Sequence, residues 1–231
     1  MGLWSKIKKA AKKAWRAVKA TVRAVVRVVV AIVVRIVNLV LVWLPIKKKL
    51  RLQVLILRKS DEAPVVDVGD LDTALEYVKK TLNDRFDIKL KFYGKPGVQI
   101  LPTVAPAAAL SVDCDTGAAK NEWGEAGEYF ADHLAGWNVI PLSLGFPITA
   151  FIVEGIAGKI GCSLGLLTDY VTVSKAGVKS DSTLMHEIGH CCGLLHRENK
   201  NNLMFPDDGR GNDVTGWQKF VVRNSRHCTF W

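Results

Sequence analysis
From Lys6 to Val42 the chain has neither Gly nor Pro, and basic residues recur in an aliphatic background. Lys8, Lys12, Arg16, Lys19, Arg23, Arg27 and Arg35 stand three, four or eight residues apart. That spacing lines them along one side of a helix, with Trp, Val and Ile filling the rest. The second part, Ala24 to Leu44, is 21 residues long and apolar except for Arg27, Arg35 and Asn38. Such a length matches a hydrocarbon core of about 30 Å. Arg35 near its middle would cost roughly 2.5–3.5 kcal/mol on insertion, which the surrounding aliphatic residues can outweigh. Trp43 fits an interfacial anchor. An uncleaved signal anchor, an interfacial amphipathic helix and a cleaved signal peptide all remain open. The last is the weakest, because no A-x-A-like site follows the apolar run.

Pro45 stops this helix, and Ile46–Arg51 forms a short basic hinge. Leu50–Leu57 is an apolar, β-branched run that predicts a buried strand. Asp67 to Asp70 carry helix-start signals, and Leu71, Leu75, Val78 and Leu82 follow at helical spacing. Ile88–Tyr93 alternates like a second strand. Gly94–Pro106 holds three prolines and two glycines and predicts a loop. Ala107–Asp113 predicts a short third strand, and Asn121–Trp137 has no clear pattern. Ile148–Glu154 and Tyr170–Ser174 predict two more strands, joined by a Gly-rich connection. Helices are expected from Ser182 to about Leu195 and from Val214 to about Ser225. The fold class is therefore α+β: a mixed sheet with helices packed on it, preceded by a long N-terminal helix. Two units are expected, 1–45 and 46–231.

The formal charge of +10 suggests nucleic acid until its distribution is considered. Residues 1–59 hold 16 Lys/Arg and no Asp or Glu, whereas residues 60–231 hold 16 Lys/Arg against 22 Asp/Glu. A mildly acidic domain thus carries a strongly cationic arm. A cationic arm suits anionic phosphate surfaces, and its aliphatic interleaving favours lipid over nucleic acid. The five cysteines are too few for a disulfide scaffold. A Cys114–Cys162 bridge and buried free thiols are both open. Cys191 and Cys192 are expected to pack as small apolar residues.

Residues 186–196 read HEIGHCCGLLH. On a helix His186 and His190 lie one turn apart on one face, so both imidazoles reach a single ion. Glu187 stands beside that face, placed to take a proton from metal-bound water. Gly193 permits the left-handed turn that ends a helix, after which His196 supplies a third ligand. Three neutral histidines leave a position open for water, the mark of a catalytic metal site. At roughly 5% usage per residue type, a chance match to five fixed positions has odds below about one in 10⁴.

HEIGHCCGLLH matches the metzincin pattern H-E-x-x-H-x-x-G-x-x-H at all five fixed positions. NNLMFP places Met204 eight residues after His196, and this spacing resembles the methionine turn of matrixin-type domains. TGWQKFVVRNSRHCTFW is similar to the closing helix of small microbial matrixin-like peptidases, so the resemblance extends over residues 50–231. It implies a five-stranded mixed twisted sheet with about three helices and the ligand helix under a flat cleft. It also implies Zn²⁺ on His186, His190 and His196, Glu187 as general base and Met204 beneath the metal. On the same likeness Ile148–Glu154 is the edge strand that pairs with an extended substrate, and Phe205 and Pro206 wall the pocket for the residue after the scissile bond. No cysteine-switch segment of the PRCGxPD kind is present, and no tyrosine follows Met204 closely. DDGRGND (Asp207–Asp213) leaves room for calcium, although a solvated turn fits it better.

The expected function is zinc-dependent endopeptidase action on a peptide or protein substrate. The alternative is a membrane-active protein in which the zinc domain is secondary. GLWSKIKKAAKKAWRAVKA resembles cationic amphipathic peptides of the dermaseptin type, so a membrane is an expected partner through residues 1–45 and nucleic acid is not. The expected address is membrane-associated with an extracytoplasmic peptidase domain, with secretion as the alternative.

Overall fold
The computed structural model describes residues 3–41, 46–114, 124–134, 146–164 and 168–230. Trp43, Pro45 and the ends of Asn121–Trp137 lie outside the described residues.

Helix α1 (Leu3–Val40) is followed by strand β1 (Lys48–Arg58), the axis of the sheet. Leu50, Leu52, Val54 and Ile56 of β1 are wholly buried on one face, and Leu55 and Leu57 are buried on the other, so the second half of the strand is covered on both faces. On one side β1 pairs in parallel first with β2 (Ile88–Phe92) and then with β3 (Val98–Val104), which share one column. On the other side it pairs in parallel with β5 (Ile148–Val153), and β5 pairs in parallel with β8 (Tyr170–Ser174). The outer position belongs to β7 (Gly161–Ser163), antiparallel to β8. A two-residue strand β9 (Cys228–Thr229) runs antiparallel along the start of β1. The sheet is thus a mixed one of five columns, with seven strands in all.

Helix α2 (Asp72–Phe86) turns Val78, Leu82 and Phe86, all wholly buried, toward the core. Each such side chain contributes about 1.5–3 kcal/mol on burial. Helix α3 (Ala107–Leu110) is a single turn after Pro106, and β4 (Ser111–Val112) pairs with β6 (Gly155–Ile156). Helix α4 (Glu125–Asp132) sets the Phe130 ring 4.6 Å from Phe151 of β5. Helix α5 (Lys175–Val178) leads into α6 (Thr183–Cys191), which packs against β7, β8 and α2. Helix α7 (Gly216–Arg223) precedes the closing strand β9.

Three expectations are corrected. Val98–Val104 is a strand, not loop: its pairing with β1 shifts register between Ile56 and Arg58, and Pro102 sits in that irregularity. The column is at the edge of the sheet, where a missing N–H is tolerated. Ala107–Asp113 opens with a helical turn, and only Ser111–Val112 is extended. Ile148–Glu154 does not supply the edge for a substrate, because β5 is buried throughout and paired on both sides. The edge beside α6 is Gly161–Ser163.

Helix α1 lies against the domain along Ala20, Arg27, Val34 and Asn38, all buried. Arg27 Nε donates to Asp169 Oδ2 at 2.7 Å, and Asn38 Nδ2 donates to the Cys228 carbonyl at 3.0 Å. Arg16 pairs with Glu128. The basic side expected from the spacing is therefore partly turned inward. Much of what remains outside is aliphatic: Val18, Val22, Val25, Val29, Ile32 and Ile36 are each more than half exposed, with the lysines of the first turns and Arg35 exposed beside them. Among the described residues no helix is long and apolar enough to cross a membrane.

Candidate metal centre
His186, Glu187 and His190 project from α6, whose sequence TLMHEIGHC carries no helix breaker other than Gly189. A side-chain Cβ at Gly189 would stand 2.7 Å from Met204 Sδ. Only a glycine lets the turn methionine, itself wholly buried, press against the helix at this point.

The helix stops at Gly193, whose φ of +100° lies in the left-handed region. The Gly193 N–H reaches the His190 carbonyl at 2.8 Å and the Leu194 N–H reaches the Gly189 carbonyl at 2.9 Å. Those two bonds form a Schellman cap. The cap also orients a side chain, because His190 Nδ1 lies 2.8 Å from the Leu194 carbonyl. His186 Nδ1 lies 3.0 Å from the carbonyl of Leu203, just before Met204. A carbonyl only accepts, so Nδ1 carries the proton in both rings and Nε2 presents a lone pair.

Those lone pairs converge. His190 Nε2 is 3.0 Å from His186 Nε2 and 3.0 Å from His196 Nε2. Burial lowers the pKa of His186 to about 3 and that of His190 to about 4, and it also lowers that of His196. The rings are therefore neutral near pH 7, and the Nε2 lone pairs of His186 and His190, facing each other at this distance, repel unless a cation joins them. Nitrogens each about 2.0–2.1 Å from one tetrahedral ion would be separated by about 3.4 Å, so the donor set fits zinc. Among the described residues these three histidines are the one group placed to hold an ion. Asp207 and Asp208 belong to no such group, so the calcium expectation finds no support.

Glu187 is buried beside the histidines, and burial pushes its pKa up to about 8 against the opposing charges of Arg210 and Lys159. Across from it runs the edge strand. A Cβ on Gly161 would lie 2.6 Å from Glu187 Oε1, so the bare backbone of β7 is what leaves the carboxylate its place. Cys162 of the same strand is bonded to Cys114. Cys191 and Cys192 are buried and unbridged, in keeping with packing roles.

The three histidines, Glu187, the edge strand and Pro206 line one cleft of about 510 Å³. Met204 supports it from below through Gly189. Phe205 is half-buried and is not part of the lining. Four residues escaped the sequence reading. Gly161 belongs to a strand too short to show a pattern. Arg210 lies in a stretch that reads as a turn. Asn202 and Gln218 join by paired amide hydrogen bonds of 3.0 Å each, and Asn202 Oδ1 also accepts from the Met204 N–H at 2.9 Å. The turn is thereby fastened to α7, and the only local signal was the Thr215–Gln218 capping box.

No protein-family model and no curated protein matches the chain. Solved structures do. Metalloproteinase-II of Bacteroides fragilis is similar with a TM-score of 0.51 and 14% identity, covering 76% of this chain and 52% of that one. The chain thus spans about half the length of that protein. A zinc-dependent peptidase from Methanocorpusculum labreanum overlays with a TM-score of 0.43 and 13% identity, covering 74% of this chain and 99% of that one. The first likeness shows a shared metalloproteinase-like fold.

Proposed function
We propose that the chain is a zinc-dependent endopeptidase of the metzincin, matrixin-like kind. The observation that carries this reading is the convergence of three Nε2 lone pairs, two of them with tautomers fixed by carbonyls, beside a buried carboxylate. His186, His190 and His196 would hold the zinc, which when bound supplies Lewis acidity and lowers the pKa of water toward neutrality. Glu187 takes the water's proton and delivers it to the departing amine. Its desolvation gives it the proton affinity that such a base needs near neutral pH. The main chain of Gly161–Ser163, at the edge of the sheet and along the cleft, offers an extended peptide a strand to pair with. Glu187→Gln with zinc retained is expected to lower peptide hydrolysis by about 10²–10⁴-fold. Undiminished hydrolysis in that variant overturns the reading.

A second reading concerns the arm. The apolar face that α1 turns away from the domain, together with exposed Lys6, Lys8, Lys9, Lys12 and Lys13, suits an anionic lipid surface on which the helix lies flat. The Cys114–Cys162 bridge supports an extracytoplasmic address. The full chain is expected to float with phosphatidylserine-containing liposomes. Val25→Asp together with Ile32→Asp, both on the outward face, is expected to abolish flotation and leave zinc content intact. Equal flotation of wild type and double variant sinks the proposal.

A further inference from the structure
Four basic side chains form a row along α1 where it meets the domain: Arg16, Lys19, Arg23 and Arg27, three or four residues apart. The outer two are met by acids, Arg16 by Glu128 of α4 and Arg27 by Asp169. The inner two are not: among the described residues neither Lys19 nor Arg23 has a carboxylate partner. At that point α1 and the end of α4 leave a groove of about 440 Å³ between them. Trp15, Val18 and Val22 form its apolar wall on the arm. Across from them stands Asp132, the last residue of α4, exposed and also without an ion pair among the described residues.

These charges can be reached from outside. Lys19 is half-buried, and in Arg23 only Nε is shut off from solvent, so its terminal nitrogens stay open and hold no hydrogen bond among the described residues. Val18 and Val22 belong also to the apolar face that α1 turns away from the domain. The mouth of the groove therefore opens on the side that suits lipid. Trp15, 61% exposed at the rim, has an amphipathic ring of the kind that settles at headgroup level. An occupant that matches this groove brings two negative groups and one positive group, joined to an apolar tail. A serine phospholipid has that set, with a phosphodiester, a carboxylate and an ammonium in one headgroup.

We infer that the groove between α1 and α4 is a site for the headgroup of one phosphatidylserine: Arg23 and Lys19 take its phosphate and carboxylate, and Asp132 takes its ammonium. This rests on the lipid reading of the arm above. Arginine pairs with phosphate through two-pronged, charge-assisted hydrogen bonds. Asp132 supplies the discrimination, because an anionic headgroup without an amine leaves two like charges facing each other.

The test uses the full chain and phosphatidylcholine vesicles doped with equal mole fractions of phosphatidylserine or phosphatidylglycerol. Both dopants carry a single net negative charge, so diffuse attraction to the lysines does not tell them apart. Partition onto phosphatidylserine is expected to exceed partition onto phosphatidylglycerol by about tenfold. Asp132→Asn is expected to bring that ratio close to one without weakening the binding of phosphatidylglycerol. Lys8→Gln with Lys12→Gln, two exposed charges outside the groove, is expected to lower both partitions and keep the ratio. Lys19→Gln with Arg23→Gln is expected to lose the ratio as well. Equal partition in wild type, or a ratio that survives Asp132→Asn, overturns the inference. A second readout is titration calorimetry with dihexanoyl phosphatidylserine below its micellar concentration, expected to show one molecule bound per chain. Should the chain ignore every vesicle while this soluble lipid binds and needs Asp132, the membrane reading fails and the site stands. Flotation on both anionic lipids alike, with no binding of the soluble one, keeps the membrane reading and overturns the site.

Discussion
Among the described residues two polar clusters invite comparison: the one around Asp169 is sealed in the interior, whereas the histidines run from buried His186 to exposed His196. At Asp169 one carboxylate receives Arg27 Nε at 2.7 Å and Arg226 Nε at 2.9 Å, and its charge is met from both oxygens. Burial opposes its ionisation, but Arg226, Arg27 and His227 outweigh burial and hold the carboxyl below its usual pKa. At the histidines the Nε2 lone pairs of His186 and His190 face each other at 3.0 Å with no donor between them, and His196 Nε2 stands 3.0 Å from His190 Nε2. A closed cluster fastens pieces of structure together, here α1 to the end of the chain. An open one is arranged for a ligand that the chain does not supply. The contrast is useful because only the second cluster opens onto a cleft through which a ligand can reach it.

The strongest way to break the comparison is to remove one member of the open cluster. His190→Ala is expected to lose stoichiometric zinc and at least about 10³-fold of hydrolysis while the fold persists; metal analysis and circular dichroism check both. Damage to the closed cluster should do the reverse. Asp169→Asn leaves two guanidiniums short of a counter-charge in the interior, a loss of about 3–5 kcal/mol by urea denaturation, with zinc content unchanged in the protein that remains folded.

Acid and base sharpen the difference. A depressed carboxyl such as Asp169 contributes stability above its unfolded pKa of about 3.9 and loses it only as pH falls through the lower folded value. Glu187, raised to about 8, has the opposite sign. In metal-free protein the folded state holds its proton where the unfolded state has lost it, so the Glu187 contribution falls as pH rises from about 4.5 to about 8. The buried histidines, with pKa values lowered, act in the opposite direction below about pH 6.5. Urea midpoints at about pH 7 and pH 8 in the presence of chelator, above that range, should show the fall in wild type, and Glu187→Gln should remove it.

Smaller effects test the supports of the open cluster. Gly161→Ala forces either β7 or the carboxylate of Glu187 to move and should lower kcat by up to about 10²-fold with zinc still bound. Gln218→Ala frees the methionine turn from α7 and should weaken zinc binding by about tenfold, read by competition with a chelator. An unchanged affinity would show that the Leu203 carbonyl holds its place without α7.

Parts of this architecture were legible in the sequence for identifiable reasons. Tyr170–Ser174 came out to the residue and Leu50–Leu57 within two, because buried parallel strands read as unbroken apolar runs. The meeting of the histidines was legible because helix geometry turns a spacing of four residues into one face and a glycine into a reversal. What failed was neighbour order. Ile148–Glu154 and Gly161–Ser163 are both extended, but only pairing distinguishes a central strand from an edge, and pairing is not local. Pro102 hid β3 for a related reason, since a proline is excluded from central strands but tolerated at an edge. Asp169 was invisible: its partners lie 142 and 57 residues away along the chain. The inward turn of Arg27 follows from that distant acid, and that of Arg16 from Glu128, 112 residues away. Helical periodicity defines a side of α1 without saying which side the domain will take.

The contact between Asn38 and the carbonyl of Cys228 spans 190 residues. At a synthesis rate of about 5–20 residues per second, some 10–40 s separate the emergence of its two halves from the ribosome. Throughout that interval Arg27 has no Arg226 with which to share Asp169. The Asn38 contact is therefore among the last that α1 can make as the chain is synthesised, so the arm is available to a surface before its own domain is finished.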